Sequence, residues 1–250
     1  MAHQHLDDFS VCRALPRRAF LGAAAGACFV GPIAALAAPS SASLASTLTK
    51  DARDAMTPSS VLAALKSGNA RFRAGTLTQR DYVAQARATA SGQYPAAVIL
   101  GCIDSRVPAE IVFDVGIGDM FVGRVAGNVV NDDMLGSMEF ACSVSGAKVA
   151  LVLGHTVCGA IKGAIDDVEM GNLTGLLARV KPAITQTTFS GEKSSKNPAY
   201  VDAVARTNVM LGIEVIRRRS PILADLEKKG SIAIGGAMYD LATGMVEFLS

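Results

Sequence analysis

The sequence predicts an α/β fold: a mostly parallel central β-sheet covered by helices. Three observations lead there. The runs 96–102, 120–125, 148–154 and 231–237 are short, aliphatic and apolar on successive residues, as strands buried on both faces are. Between them the apolar residues recur at helical spacing. Glycine, proline and aspartate punctuate the junctions.

The elements follow in chain order. Thr57 reads as an N-cap with Pro58 at the first helical position, and Val61, Leu62, Leu65 and Phe72 then form one helical stripe. The run 96–102 is the first strand; Gly116 and Gly118 turn the chain before the second, 120–125. Asp132 and Asp133 open a helix with Leu135, Met138, Ala141, Cys142 and Ser145 on one face, and Gly146 ends it. "KVALVLG" at 148–154 is the third strand. A helix is expected from Cys158 to Val168, closed by Gly171. Residues 185–198 are polar and read as a loop. Val201, Val204, Asn208, Leu211 and Val215 share a helical stripe that Pro221 ends, with Arg217, Arg218 and Arg219 as a solvated last turn. The run 231–237 is the fourth strand, and 245–249 a fifth. Residues 56–250 read as one domain after a linker at 39–55.

The chain has 250 residues, half of them apolar, and a formal net charge of +2, so nucleic acid is not the expected partner. With no tryptophan and 5% aromatic residues, platforms for stacking bases or sugars are hard to build. Residues 1–38 differ in kind. Arg17-Arg18 precede Phe20-Leu21, an Ala- and Gly-rich apolar run, and the small-x-small site Ala35-Leu36-Ala37. This resembles a signal peptide of the twin-arginine type, and the mature protein is expected in the periplasm or otherwise exported. Removing it reduces five cysteines to three: Cys102, Cys142 and Cys158. An odd number in an oxidising compartment is a poor disulfide framework. Metal ligation suits a pair better, and Cys142, on a helical stripe, reads as a small buried hydrophobe.

The first strand ends in "GCIDSR" and the third in "GHTVCGA". In a parallel sheet both carboxyl ends lie on one edge, where α/β proteins place their ligands. Cys102, His155 and Cys158 can therefore converge. Two thiolates and an imidazole are a soft, tetrahedral-preferring set that suits zinc. Asp104 is the nearest fourth ligand, because strand alternation returns it to the face of Cys102. Arg106, two residues on, can pair with it.

These segments resemble the two signature motifs of the β-class carbonic anhydrases. "RVAGNVV" at 124–130, "GSMEFACSVSGAK" at 136–148 and "GAMYDLATGMV" at 236–246 match the family's pattern in the same order. The resemblance implies one zinc ion per subunit on Cys102, His155 and Cys158, with Asp104 and Arg106 as a catalytic dyad. It also implies reversible hydration of carbon dioxide to bicarbonate and a proton, with hydroxide generated at the metal as the attacking group. Gln93, Phe121 and Gly159 match substrate-pocket positions, and a homodimer or an assembly of dimers is implied. Val125 and Ser145 depart from the family's usual asparagine and leucine. Two thiolates cancel the formal charge of the ion, so activity is expected to rise on the alkaline side of neutral. Rival readings are hydrolysis of carbonyl sulfide or carbon disulfide, and a non-catalytic zinc module. The latter has no use for a carboxylate with its own competing arginine.

Overall fold

The computed structural model describes residues 44–249. The expected signal peptide, 1–38, lies outside them. The apolar runs form one sheet of five strands: β1 (Ala97–Gly101), β2 (Met120–Arg124), β3 (Val149–His155), β4 (Ala233–Tyr239) and β5 (Val246–Leu249). Their order is β2-β1-β3-β4-β5; the first four are parallel, and β5 runs antiparallel to β4. The helices are α1 (Lys50–Asp54), α2 (Pro58–Ala74), α3 (Tyr82–Ala88), α4 (Ala109–Val112), α5 (Asp132–Glu139), α6 (Gly159–Ile165), α7 (Gly171–Ala178), α8 (Lys181–Gln186), α9 (Pro198–Arg219) and α10 (Pro221–Lys228).

The strands are apolar throughout because each face covers a separate core. Val98, Leu100, Cys102, Ala150 and Val152 face a core built with α5, α6, α9 and α10. The alternate residues Ala97, Ile99, Val149, Leu151 and Leu153 face a second core against α2 and α4. Burying one such aliphatic side chain stabilises by about 1.5–3 kcal/mol. Cys102 therefore leaves β1 on the face covered by α6 and α9.

The start of α2 forms as its sequence dictates. Thr57 accepts from the Ser60 amide and Ser60 Oγ accepts from the Thr57 amide, at 3.1 and 2.9 Å. Further along, a Cβ on Gly68 would lie 1.8 Å from the carbonyl oxygen of Phe113, so only glycine lets α2 approach the end of α4.

Several elements differ from the sequence expectation. The helix opened by Asp132 ends in a wider turn over Phe140–Val144, where the Ser145 amide reaches the Phe140 carbonyl at 3.0 Å. Gly171 begins α7 rather than closing α6, because Asp167 takes the left-handed position after that helix, at φ 51°. Pro221 starts α10, capped by Ser220, as well as ending α9. The short helices α1, within the stretch read as a linker, α3, α4 and α8 have too few residues to show a helical period in the sequence.

Asp114 pins the loop after α2. It sits buried in the left-handed region (φ 47°), a region aspartate tolerates, and accepts from Arg71, from Arg80 and from Thr78 Oγ1, the last at 2.8 Å. Burial alone would push its pKa up, but Arg71, Arg80 and Thr78 outweigh burial and hold it at about 2. The folded value is depressed, so this stabilisation is complete above the unfolded pKa near 4 and is lost as pH falls toward 2. The stability gap between the wild type and Asp114→Asn is expected to shrink by about 2 kcal/mol between pH 5 and pH 2. Denaturant unfolding at both pH values measures it; a gap independent of pH contradicts the assignment.

Candidate metal centre

Strands β1 and β3 are neighbours, with Gly101 opposite Leu153. That register brings Cys102, the residue after β1, beside the end of β3, where His155 is the last strand residue. Cys158 follows three residues on as the N-cap of α6. All three side chains are buried: Cys102 4% exposed, His155 0% and Cys158 1%. One ligand atom from each lies within 4.8 Å of the others. Cys142, by contrast, is buried away from this cluster, and burial pushes its thiol up to about 12.

The donor set fits a soft divalent ion on three observations. First, Cys158 beside it and the Gly127 amide at 3.3 Å draw the Cys102 thiol down from its ordinary value despite burial. The neighbouring Cys102 and burial push Cys158 up. Second, His155 Nδ1 is 2.9 Å from the Thr156 carbonyl. A carbonyl only accepts, so Nδ1 carries the proton and Nε2 keeps its lone pair. Third, that Nε2 is buried with no hydrogen-bond partner among the described residues, an arrangement expensive for a polar atom unless something ligates it. Two sulfurs and a free imidazole nitrogen match zinc.

Asp104 stands beside this set. Its Oδ1 and Oδ2 accept from Arg106 Nε and Nη2 at 2.9 and 2.7 Å, and its Oδ1 also accepts the Arg106 amide at 3.0 Å. Arg106 thereby holds the carboxyl well below the usual carboxylate range. Asp104 Oδ2 is 4.0 Å from His155 Nε2, and of the two arrangements the sequence leaves open for Asp104, on the metal or on Arg106, the carboxylate here is paired with its arginine.

The loop between the ligands is pinned at each residue. The Thr156 amide donates to the Tyr239 carbonyl at 3.0 Å, and Thr156 Oγ1 accepts from the Leu241 amide at 3.0 Å. Val157 adopts φ 56°, and its amide donates to Asp202 Oδ1 of α9 at 2.8 Å. A β-branched residue in that region is strained by about 1–3 kcal/mol.

Gly159, first residue of α6, lines a cavity of about 270 Å³ with Cys102, Asp104, Ala126, Ala160, Leu173 and Leu177. The chain does not bring Gln93 and Phe121 to this cavity. Gln93 precedes β1 and lies against Gly118, at the amino ends of β1 and β2. The metal residues lie beyond the carboxyl end of β1, a strand about 16 Å long. Phe121 sits opposite Val98 on the edge strand β2, and its ring packs on Phe140 at 6.2 Å in a separate groove.

Sequence reasoning gave no role to Arg124, which donates to the backbone carbonyls of Cys102, at 2.8 Å, and Asp104. Its signal was positional: Arg124 lies opposite Gly101 in the β1–β2 register, beside the start of the first motif. Asp202 had no local signal at all.

The carbonic anhydrase family model matches residues 97–246. The chain belongs to this family. A carbonic anhydrase of Mycolicibacterium smegmatis is 39% identical over 189 residues, covering 75% of this chain and 91% of that protein. Carbonic anhydrase 2 of Mycobacterium tuberculosis is 39% identical over 183 residues, covering 72% and 87%. Among solved structures, a β-carbonic anhydrase of Aspergillus fumigatus superimposes with a TM-score of 0.59 at 26% identity, over 77% of this chain and 90% of that one. The chain is therefore a β-class carbonic anhydrase: a zinc enzyme that reversibly hydrates carbon dioxide to bicarbonate.

Proposed function

We propose that Cys102, His155 and Cys158 hold the zinc ion, one per chain, and that Asp104, at the wall of the adjoining cavity, acts as a dyad with Arg106. One observation carries this assignment. Two sulfurs and a free imidazole nitrogen converge, while the nearest carboxylate is held by two parallel hydrogen bonds to a guanidinium. When bound, zinc acidifies water and so supplies the nucleophile for hydration.

The chain's own groups do the rest. Asp104 stays ionised beside Arg106 and retains lone pairs that can accept a hydrogen bond from the attacking group and orient it. Ala126, Ala160, Leu173 and Leu177 give the cavity an apolar wall suited to a small non-polar gas. Gly159 has open space where a side chain would stand, leaving its backbone accessible to the anionic product. Arg124 fixes the carbonyls on either side of Ile103 and so holds Cys102 and Asp104 in one geometry.

Stripping the ion with a chelator is expected to reduce carbon dioxide hydration to the uncatalysed rate, and one equivalent of zinc should restore it. Stopped-flow assays measure this, with carbonyl sulfide and carbon disulfide run in parallel. Turnover in the stripped protein, or preference for a sulfur substrate, contradicts the reading.

The working form is proposed to be a homodimer or an assembly of dimers. The edge strand β2 flanks a groove of about 630 Å³ containing Phe121, Met134 and Phe140, and Phe140 is 53% exposed. A second copy is also what could carry Gln93 and Phe121 to a metal cavity that they do not reach in their own chain. Light scattering showing only monomer at active concentrations contradicts it. Export is proposed on Arg17-Arg18 and the apolar run that follows. Among the described residues no helix is long and apolar enough to cross a membrane. Replacing both arginines by lysine is expected to retain the full-length precursor in the cytoplasm, and unchanged export would refute a twin-arginine signal.

A further inference from the structure

We infer that Asp202 is a positioning residue of the zinc site, acting through the backbone of Val157. This rests on the ligand assignment above and adds to it a residue that touches neither ligand nor substrate.

His155 ends a strand and Cys158 begins a helix, with two residues between them. For both side chains to face Cys102, the chain must reverse sharply within that span. It does so by placing Val157 in the left-handed region, at φ 56°. Glycine, asparagine or aspartate enters that region easily; valine, branched at Cβ, resists it. Something outside the loop must therefore hold it there.

The neighbouring residue is already secured by β4 and the turn after it, through the Thr156 contacts to Tyr239 and Leu241. The Val157 amide has a single protein partner, Asp202 Oδ1 at 2.8 Å, from a helix 45 residues away. Helix α9 is anchored independently by Val201, Val204 and Ala205 in the core, so Asp202 presents its carboxylate from a rigid support. Without that acceptor, Val157 can relax toward the extended region that valine prefers. Cys158, the next residue, would then move relative to His155, and zinc would be held less tightly.

The test is a double-mutant cycle read by zinc release, with zinc-loaded protein transferring its metal to a chromogenic chelator in excess. Asp202→Ala is expected to release zinc on the order of tenfold faster, the effect of one hydrogen bond to a charged group. Asp202→Asn keeps an acceptor oxygen and should stay within about threefold of the wild type. Val157→Gly removes the strain, so adding Asp202→Ala to it should change release by no more than about twofold. A residue that merely docks α9 would show the same loss in both backgrounds, and that result overturns the inference. Unchanged release in Asp202→Ala overturns it as well. Should Asp202→Ala fail to fold, Asp202→Leu, which also lacks an acceptor, is compared with and without Val157→Gly, and an equal loss in both backgrounds refutes the coupling. A wild-type chain that binds no zinc would refute the ligand assignment first; a zinc-loaded wild type with uncoupled variants refutes only the role of Asp202.

Discussion

Arg106→Ala is expected to lower carbon dioxide hydration by on the order of 10²–10³-fold while leaving one zinc ion per chain. Arg106 contributes no ligand atom, and its side chain is 57% exposed. What it touches is Asp104, through the paired bonds at 2.9 and 2.7 Å. Asp104 has two cations competing for it: the guanidinium, and the divalent ion that Cys102, His155 and Cys158 would hold. Its Oδ2 is already 4.0 Å from His155 Nε2. Unit charges 4 Å apart attract by about 4 kcal/mol at an effective dielectric constant near 20, so the carboxylate follows whichever cation remains. Without Arg106 it is free to swing onto the metal as a fourth ligand, where it would occupy the position the reaction needs. Arg106→Lys should recover part of the rate, because it restores the charge without the two-pronged geometry. Zinc analysis and stopped-flow kinetics on the same samples test both halves. Loss of zinc would make Arg106 a support of the ligand set, and activity within about threefold of the wild type would remove it from the mechanism.

Much of this arrangement is legible in the sequence, because it depends on local pattern. Four strands declared themselves by being apolar on successive residues, and the two-core sheet explains why: Val98 and Ile99 are both buried, on opposite faces. The shared edge of Cys102, His155 and Cys158 follows from parallel strands alone. The adjacency of β1 and β3 does not, since 47 residues of chain separate Gly101 from Val149 and no local signal encodes their pairing. Other features were hidden for nameable reasons. Gly171 looked like a helix end because glycine so often occupies that place, but Asp167 had taken it. The left-handed Val157 defies its own propensity, and a distant helix holds it there. Gln93 and Phe121 were assigned to the pocket through resemblance, whereas position along β1 and β2 puts them elsewhere in the chain. Arg124 stood in a motif without a role until register placed it beside Cys102.

Cys158→Ser is expected to give the largest loss of all, because it removes a ligand without changing the shape of the site. Serine nearly matches cysteine in size, so packing around the N-cap of α6 is preserved. Its hydroxyl does not ionise near neutral pH, however, and is a poor donor to a soft ion. Zinc sites with four ligands bind with about 10–16 kcal/mol, or about 3 kcal/mol per ligand, so affinity should fall by on the order of 10² or more. The same loss appears as stability, since the ion binds the folded chain far better than the unfolded one. A hundredfold weaker site forfeits about 2.7 kcal/mol of linkage, or about 5–10 °C in Tm at a fixed zinc concentration. The comparison that decides is between loaded and stripped protein. Wild type and Cys158→Ser should melt within about 2 °C of each other once stripped, because Cys158 then contributes only its buried volume and its contact with Cys102. If the variant melts lower by the same margin with and without zinc, Cys158 is a packing residue, and the three-ligand centre on which the chemistry depends does not exist.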